Sequence, residues 1–67
     1  MDIEKTFKYH APKADQPQRY EAIRAKAKEL AELIQSSSLA TAEQTLALRN
    51  IQQGVMWANA NIAIHEA

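Results

Sequence analysis

IQSSSLATAEQ, residues 34 to 44, separates two long runs of helix-forming residues, and its reading decides the fold. Serine side chains compete with the backbone for hydrogen bonds and favour turns and caps, so SSSLAT, residues 36 to 41, reads as a connector. Thr41 followed by Gln44 has the spacing of a capping box, the signature of a helix start. One helix therefore ends before Ser36 and another begins after Thr41. So short a connection sends the second helix back antiparallel to the first. The spacing predicts an all-α, antiparallel two-helix hairpin.

Working back from the turn, Ile34, Leu30, Ala27, Ile23 and Tyr20 recur at steps of 4 and 3, an apolar seam along one helix face. Ala, Glu, Lys and Leu, all strong helix formers, fill the positions between. Asp15 to Gln18 offers a capping box, with Pro17 in the first turn where its missing N–H costs nothing, so this helix is expected over 15–35. Working forward, the second helix is expected over 42–65, with Leu48, Ile51, Val55, Ala58 and Ile62 as the matching seam. Leu46, Gln53, Trp57, Ala60 and Ile64 lie on nearly the opposite side, with Asn50 and Asn61 alongside. A helix apolar on two sides must be covered on two sides, and a lone hairpin covers one. The second face predicts a helical homo-oligomer with Trp57 packed in its interface. Gly54, costing about 1 kcal/mol against Ala in mid-helix, marks a close helix approach.

A chain of 67 residues is a single domain, and at this size only about 60% of the unfolded surface is buried on folding. Cysteine is absent and the two histidines, His10 and His65, lack metal-ligand spacing, so neither disulfide nor metal is expected to compensate. Oligomerisation is the remedy left. Residues 1–28 carry seven basic against four acidic side chains, and residues 29–67 one against four, giving +3 and −3 around a net charge of zero. That balance argues against a DNA or RNA groove, which wants an extended basic face. The first ten residues lack the apolar core of a signal peptide and no apolar run approaches the ~20 residues of a membrane span. We expect a soluble intracellular protein. Ser36 to Ser38 have no neighbouring base and the carboxylates are dispersed, so the chain is not expected to be an enzyme.

Residues 1–14 form an N-terminal arm, and FKYHAP, residues 7 to 12, is its expressive part. Pro12 biases Ala11 toward extended geometry, so continuous helix is not expected there. In one reading Phe7 and Tyr9 pin the arm to the hairpin. In the other the arm carries a site. Arg24 lies one turn beyond Tyr20, at the edge of the apolar seam, where a guanidinium is poorly hydrated yet reachable. It can pair with Glu21 or Glu32 as an ordinary flank charge, and it is also suited to bidentate phosphate recognition. Tyr9 offers a face on which a base can stack. An aromatic and a phosphate clamp together describe a nucleotide site.

The arm containing Tyr9, IRAKAKEL (23–30) and IQQGVM (51–56) together resemble the phage sponge proteins that share the anti-CBASS and anti-Thoeris hairpin domain. The resemblance covers roughly residues 7–34 and 51–62. It implies a viral anti-defence protein of the host cytoplasm. Such proteins sequester, without cleaving them, the cyclic dinucleotide, cyclic trinucleotide or cyclic ADP-ribose signals of bacterial immunity. It also implies that Tyr9 stacks on a base, that Arg24 replaces the family's phosphate-binding lysine, and that the chain assembles as a hexamer. Lys26 matches a motif lysine to which no ligand role is assigned. His10 and Lys28 join the candidate ligand-binding residues by proximity. Arg49 stands one residue from where the basic group of a second, trinucleotide pocket is expected. No cofactor is implied.

A cyclic dinucleotide is nearly two-fold symmetric, so one Tyr9 and one Arg24 per protomer of a dimer would serve both bases and both phosphates. Two stacked bases and two charge-assisted bonds supply roughly 5 to 12 kcal/mol, whereas a nanomolar trap needs about 12 net of ordering costs. Further contacts are therefore required, and closure of the arm over the ligand is the expected source. The alternative is a helical oligomerisation or adaptor module whose arm docks on a protein partner.

Overall fold

The computed structural model describes residues 1–9 and 11–66. Helix α1 spans Ile3–Phe7, α2 spans Gln16–Ser37 and α3 spans Ala42–His65. The long helices pack against each other and form the predicted all-α hairpin. Short α1 was not foreseen, but it ends at Phe7 with Lys8 already extended, so the stretch 7–12 is not continuous helix, as expected. Asp2 caps it by accepting from the Lys5 backbone N–H at 3.2 Å, an acidic cap at a helix N-terminus.

The turn is closed by side chains. Thr41 accepts from the Gln44 N–H at 3.3 Å, as the capping spacing requires. Gln44 does not complete the box by reaching back to Thr41. Its Nε2 instead donates to Ser38 O at 3.2 Å and Ser38 Oγ at 3.1 Å, with the Ile34 and Gln35 carbonyls at 3.4 Å. The last carbonyls of a helix have no partner within it, and Gln44 brings a donor to them from the next helix. Ser36 and Ser38 also back-bond to Leu33 O and Ile34 O, at 3.1 and 2.6 Å. With its end satisfied in this way, α2 runs two residues beyond the expected Gln35.

The start of α2 is another correction. Asp15 occupies the cap position, but its side chain makes no capping bond. Its carboxylate lies 3.3 Å from Arg19 Nε, an ion-pair distance. Gln16 instead closes the turn that precedes the helix. The Lys13 N–H donates to Gln16 Oε1 at 2.9 Å and the Gln16 N–H donates to Lys13 O at 2.9 Å. Ala14, inside this tight turn, has φ 46°, the left-handed region that a Cβ disfavours.

Along the inter-helix seam, Leu48, Ile51, Val55 and Ala58 are half-buried and Ile62 is buried. On α2, Tyr20, Ile23, Ala27 and Ile34 face them as expected, whereas Leu30 is 47% exposed and Ala31 takes its place. The helical repeat of 3.6 residues drifts against a strict 3-4 spacing, which moves the inward position by one. On the second face of α3, Trp57 remains 74% exposed and Leu46 is exposed. Ala60 and Ile64 are half-buried beside the arm: Met1, Lys5 and Thr6 of the α1 segment share a groove with Trp57, Ala60 and Ile64. Gly54 makes no close approach within the chain, since a Cβ there would meet nothing within 4 Å.

Candidate functional site

The arm lines grooves with α3 on both sides of Ala60. Ala60 borders both the groove holding Lys5 and Thr6 and a second groove holding Tyr9 and Pro12. The two halves of the arm thus line grooves on either side of Ala60. Phe7 is 79% exposed, so it does not pin the arm.

The groove of Tyr9 and Pro12 is shallow, and Tyr20, Arg24, Asn59 and Ala63 line it too. Tyr20 and Arg24 come one turn apart from α2, Asn59 and Ala63 one turn apart from α3, and the extended arm supplies the aromatic lip. Tyr9 and Arg24, distant in sequence, are thus brought onto the same concavity. A second groove runs between the helices toward the turn, and Arg24 lines this one too, beside Lys28, Ala27, Leu48, Ile51 and Val55. Lys28 consequently belongs with Arg24 but not with Tyr9. His10 lies outside the described residues. Arg49 is exposed on α3.

Arg24 donates from Nη2 to Glu21 Oε2 at 2.6 Å, one turn back on α2. This exposed pair occupies one of the five guanidinium N–H donors and leaves the others for a ligand. Asn59 and Tyr20 were not singled out as ligand groups from the sequence, Tyr20 being read only as core seam. The signal for Asn59 was an amide, a weak helix former, in the alanine-rich turn ANAN beside the seam residue Ala58. Asn59 Oδ1 is buried and has no hydrogen-bond partner among the described residues.

The groove is held in place from its far end. Gln16, 4% exposed, donates from Nε2 to Glu66 O at 3.2 Å. Arg19 forks onto the Glu66 carboxylate, with Nη1 to Oε2 at 3.1 Å and Nη2 to Oε1. These bonds draw the Glu66 carboxyl below its ordinary value and push the Arg19 guanidinium further up, the carboxylate bond being the main cause in each case. Together they fasten the first turn of α2 to the last turn of α3, beside Tyr20 and Ala63.

Among the described residues, no group of three or more His, Cys, Asp or Glu side chains could hold a metal ion. None of the helices is long and apolar enough to cross a membrane. No curated protein and no solved structure matches the chain. A family model does match it, that of the Acb2/Tad1 hairpin domain, over residues 1–63. With nearly the whole sequence covered and the hairpin in place, the chain belongs to the Acb2/Tad1 hairpin domain family, the phage anti-CBASS and anti-Thoeris sponges.

Proposed function

We propose that this protein is a viral sponge that binds a cyclic oligonucleotide signal in the cytoplasm of the infected bacterium and holds it without cleaving it. The observation that carries this reading is the shared groove of Tyr9 and Arg24. In it a base stacks on the Tyr9 ring and a phosphate meets the Arg24 guanidinium. Tyr9 is 83% exposed in the chain alone, so stacking covers a face that otherwise stays wet. Family membership supports the ligand class, and among its members' signals a cyclic dinucleotide fits best. Its two-fold symmetry lets two copies of the groove share one ligand. Lys28 serves as a second cation on the Arg24 side, and His10, next to Tyr9 in sequence, is a further candidate contact. Exposed Trp57, Leu46, Leu33 and Met56 support assembly of several copies, with a hexamer as the family state.

Titration calorimetry with a panel of cyclic di- and trinucleotides and cyclic ADP-ribose isomers tests the proposal. At least one ligand should bind and be recovered intact after denaturing the complex. Tyr9→Ala and Arg24→Ala should each weaken that binding at least about tenfold, the loss of one stacked base or one charge-assisted bond, with oligomer mass unchanged. No binding across the panel, or a ligand returned cleaved, would overturn it.

A further inference from the structure

Gln16 is the one buried polar side chain among the described residues, 4% exposed, and both ends of its carboxamide are used. Oε1 accepts from the Lys13 N–H at 2.9 Å, and Nε2 donates to the Glu66 main-chain carbonyl at 3.2 Å. The amide therefore joins two segments distant in sequence, the root of the arm and the end of α3. An apolar side chain of similar size would fill the space and satisfy neither partner. The turn it closes holds Ala14 at φ 46°, a left-handed backbone that persists in a non-glycine residue only where surrounding bonds impose it. From Lys13 the chain runs back through Pro12, whose ring fixes its own φ and biases Ala11 to extended geometry. Few free torsions thus separate this tie from Tyr9. The Tyr9 side chain is 83% exposed, too little packed to fix its own position, so its placement depends on where the backbone is tied. Tyr9 and Pro12 line the groove shared by Arg24 and Ala63, and Ala63 stands about one turn before Glu66. The same amide thus sets the arm and the α3 wall of the groove relative to each other. Building on the reading that Tyr9 and Arg24 bind a cyclic nucleotide, we infer that Gln16 is a positioning residue: it ties the arm's root to α3 so that the Tyr9 ring stands at the groove before a ligand arrives. It touches no ligand itself. A ring placed in advance spares the ligand the cost of ordering the arm.

The test uses the full chain, wild type beside Gln16→Met, which keeps the length of the side chain and removes both of its bonds. Without ligand, NMR should find the wild-type Lys13 amide protected from exchange. In the variant that protection should be lost and the order parameters of Tyr9, Ala11 and Lys13 should fall, with those of α2 and α3 unchanged. Calorimetry with cyclic di-AMP, cyclic di-GMP and the rest of the panel then completes a double-mutant cycle with Tyr9→Ala, read on each member that wild type binds. Gln16→Met should weaken binding at least about fivefold where Tyr9 is present, the cost of ordering about one residue. Where Tyr9 is already Ala the loss should stay within about twofold, because an arm without its ring gains nothing from being held. Equal losses in the two backgrounds would overturn the inference and leave the sponge reading standing, since a general effect on the hairpin does not depend on the ring. A wild-type Lys13 amide that exchanges freely would overturn it too, even where the variant fails to fold. If wild type binds no member of the panel, the sponge reading falls and the inference falls with it.

Discussion

Arg24 has a competitor within reach. Its Nη2 is bonded to Glu21 at 2.6 Å, with the two side chains 57% and 75% exposed. An anionic ligand must either share the guanidinium with that carboxylate or displace it, and it feels the carboxylate's repulsion in both cases. An exposed pair of this kind is worth roughly 0.2–1 kcal/mol, so Glu21→Gln should tighten cyclic dinucleotide binding by up to about fivefold. Calorimetry at constant ionic strength checks it, and unchanged affinity would mean that Arg24 does not meet the phosphate. Residue by residue, the sequence put forward Tyr9 and Arg24 as candidates, because an aromatic on a proline-marked arm and a cation on a seam edge are unusual in so plain a chain, and the fold sets both on one groove. Gln16 was not legible. Its role depends on the carbonyl of Glu66 at the other end of the hairpin, and spacing along one helix carries no information about that.

The elements were legible where local chemistry decides them. The serine-rich turn and the Thr41 cap required two helices, and periodicity set their facing seams. One correction comes where a partner from the next helix replaces a local one, as when Gln44 reaches back to the carbonyls that end α2. The other is local, the Asp15 carboxylate turning to Arg19 instead of capping α2. Helix α1 was hidden because five residues are too few to show a period. The tie between helix ends also joins residues from opposite ends of the chain, and it makes the hairpin's stability depend on pH. Glu66 sits below its ordinary value of 4.5 in the folded state, chiefly through its bond to Arg19. A folded value below the unfolded one gives stabilisation that is complete above the unfolded pKa and disappears as pH falls through the folded one. The melting temperature of wild type minus that of Glu66→Gln should therefore be positive at pH 7 and shrink toward zero as pH drops below 4.5. Both side chains are partly solvated, so high salt should reduce the difference at pH 7. A difference that stays constant from pH 7 to pH 3 would show that the fork contributes nothing through its charge.

The molecule as a whole measures 42 × 25 × 12 Å, with a radius of gyration of 14.7 Å. A compact domain of this length has about 11 Å, and the short axis is about one helix diameter. A slab one helix thick cannot cover any side chain from every direction, which is why Ile62 is the lone buried apolar residue among those described. The two-sided pattern of α3 gave notice of this surplus in the sequence, although it could not say that the arm covers the Ala60 and Ile64 end. Gly54 offers a test of what covers the rest. It is one turn from Trp57 on the uncovered side, and a Cβ added there meets nothing within 4 Å in the single chain. In an isolated hairpin Gly54→Ala should therefore be favourable by about 1 kcal/mol of helix propensity. Where a second helix backbone packs against the glycine, the added methyl holds that helix away and forfeits the contact. The expected result is a variant with higher helix content at high dilution but weaker self-association, its dissociation constant raised at least about tenfold by sedimentation. Association as strong as in wild type, together with the helix gain, would place the interface away from Gly54 and leave Trp57 to another neighbour.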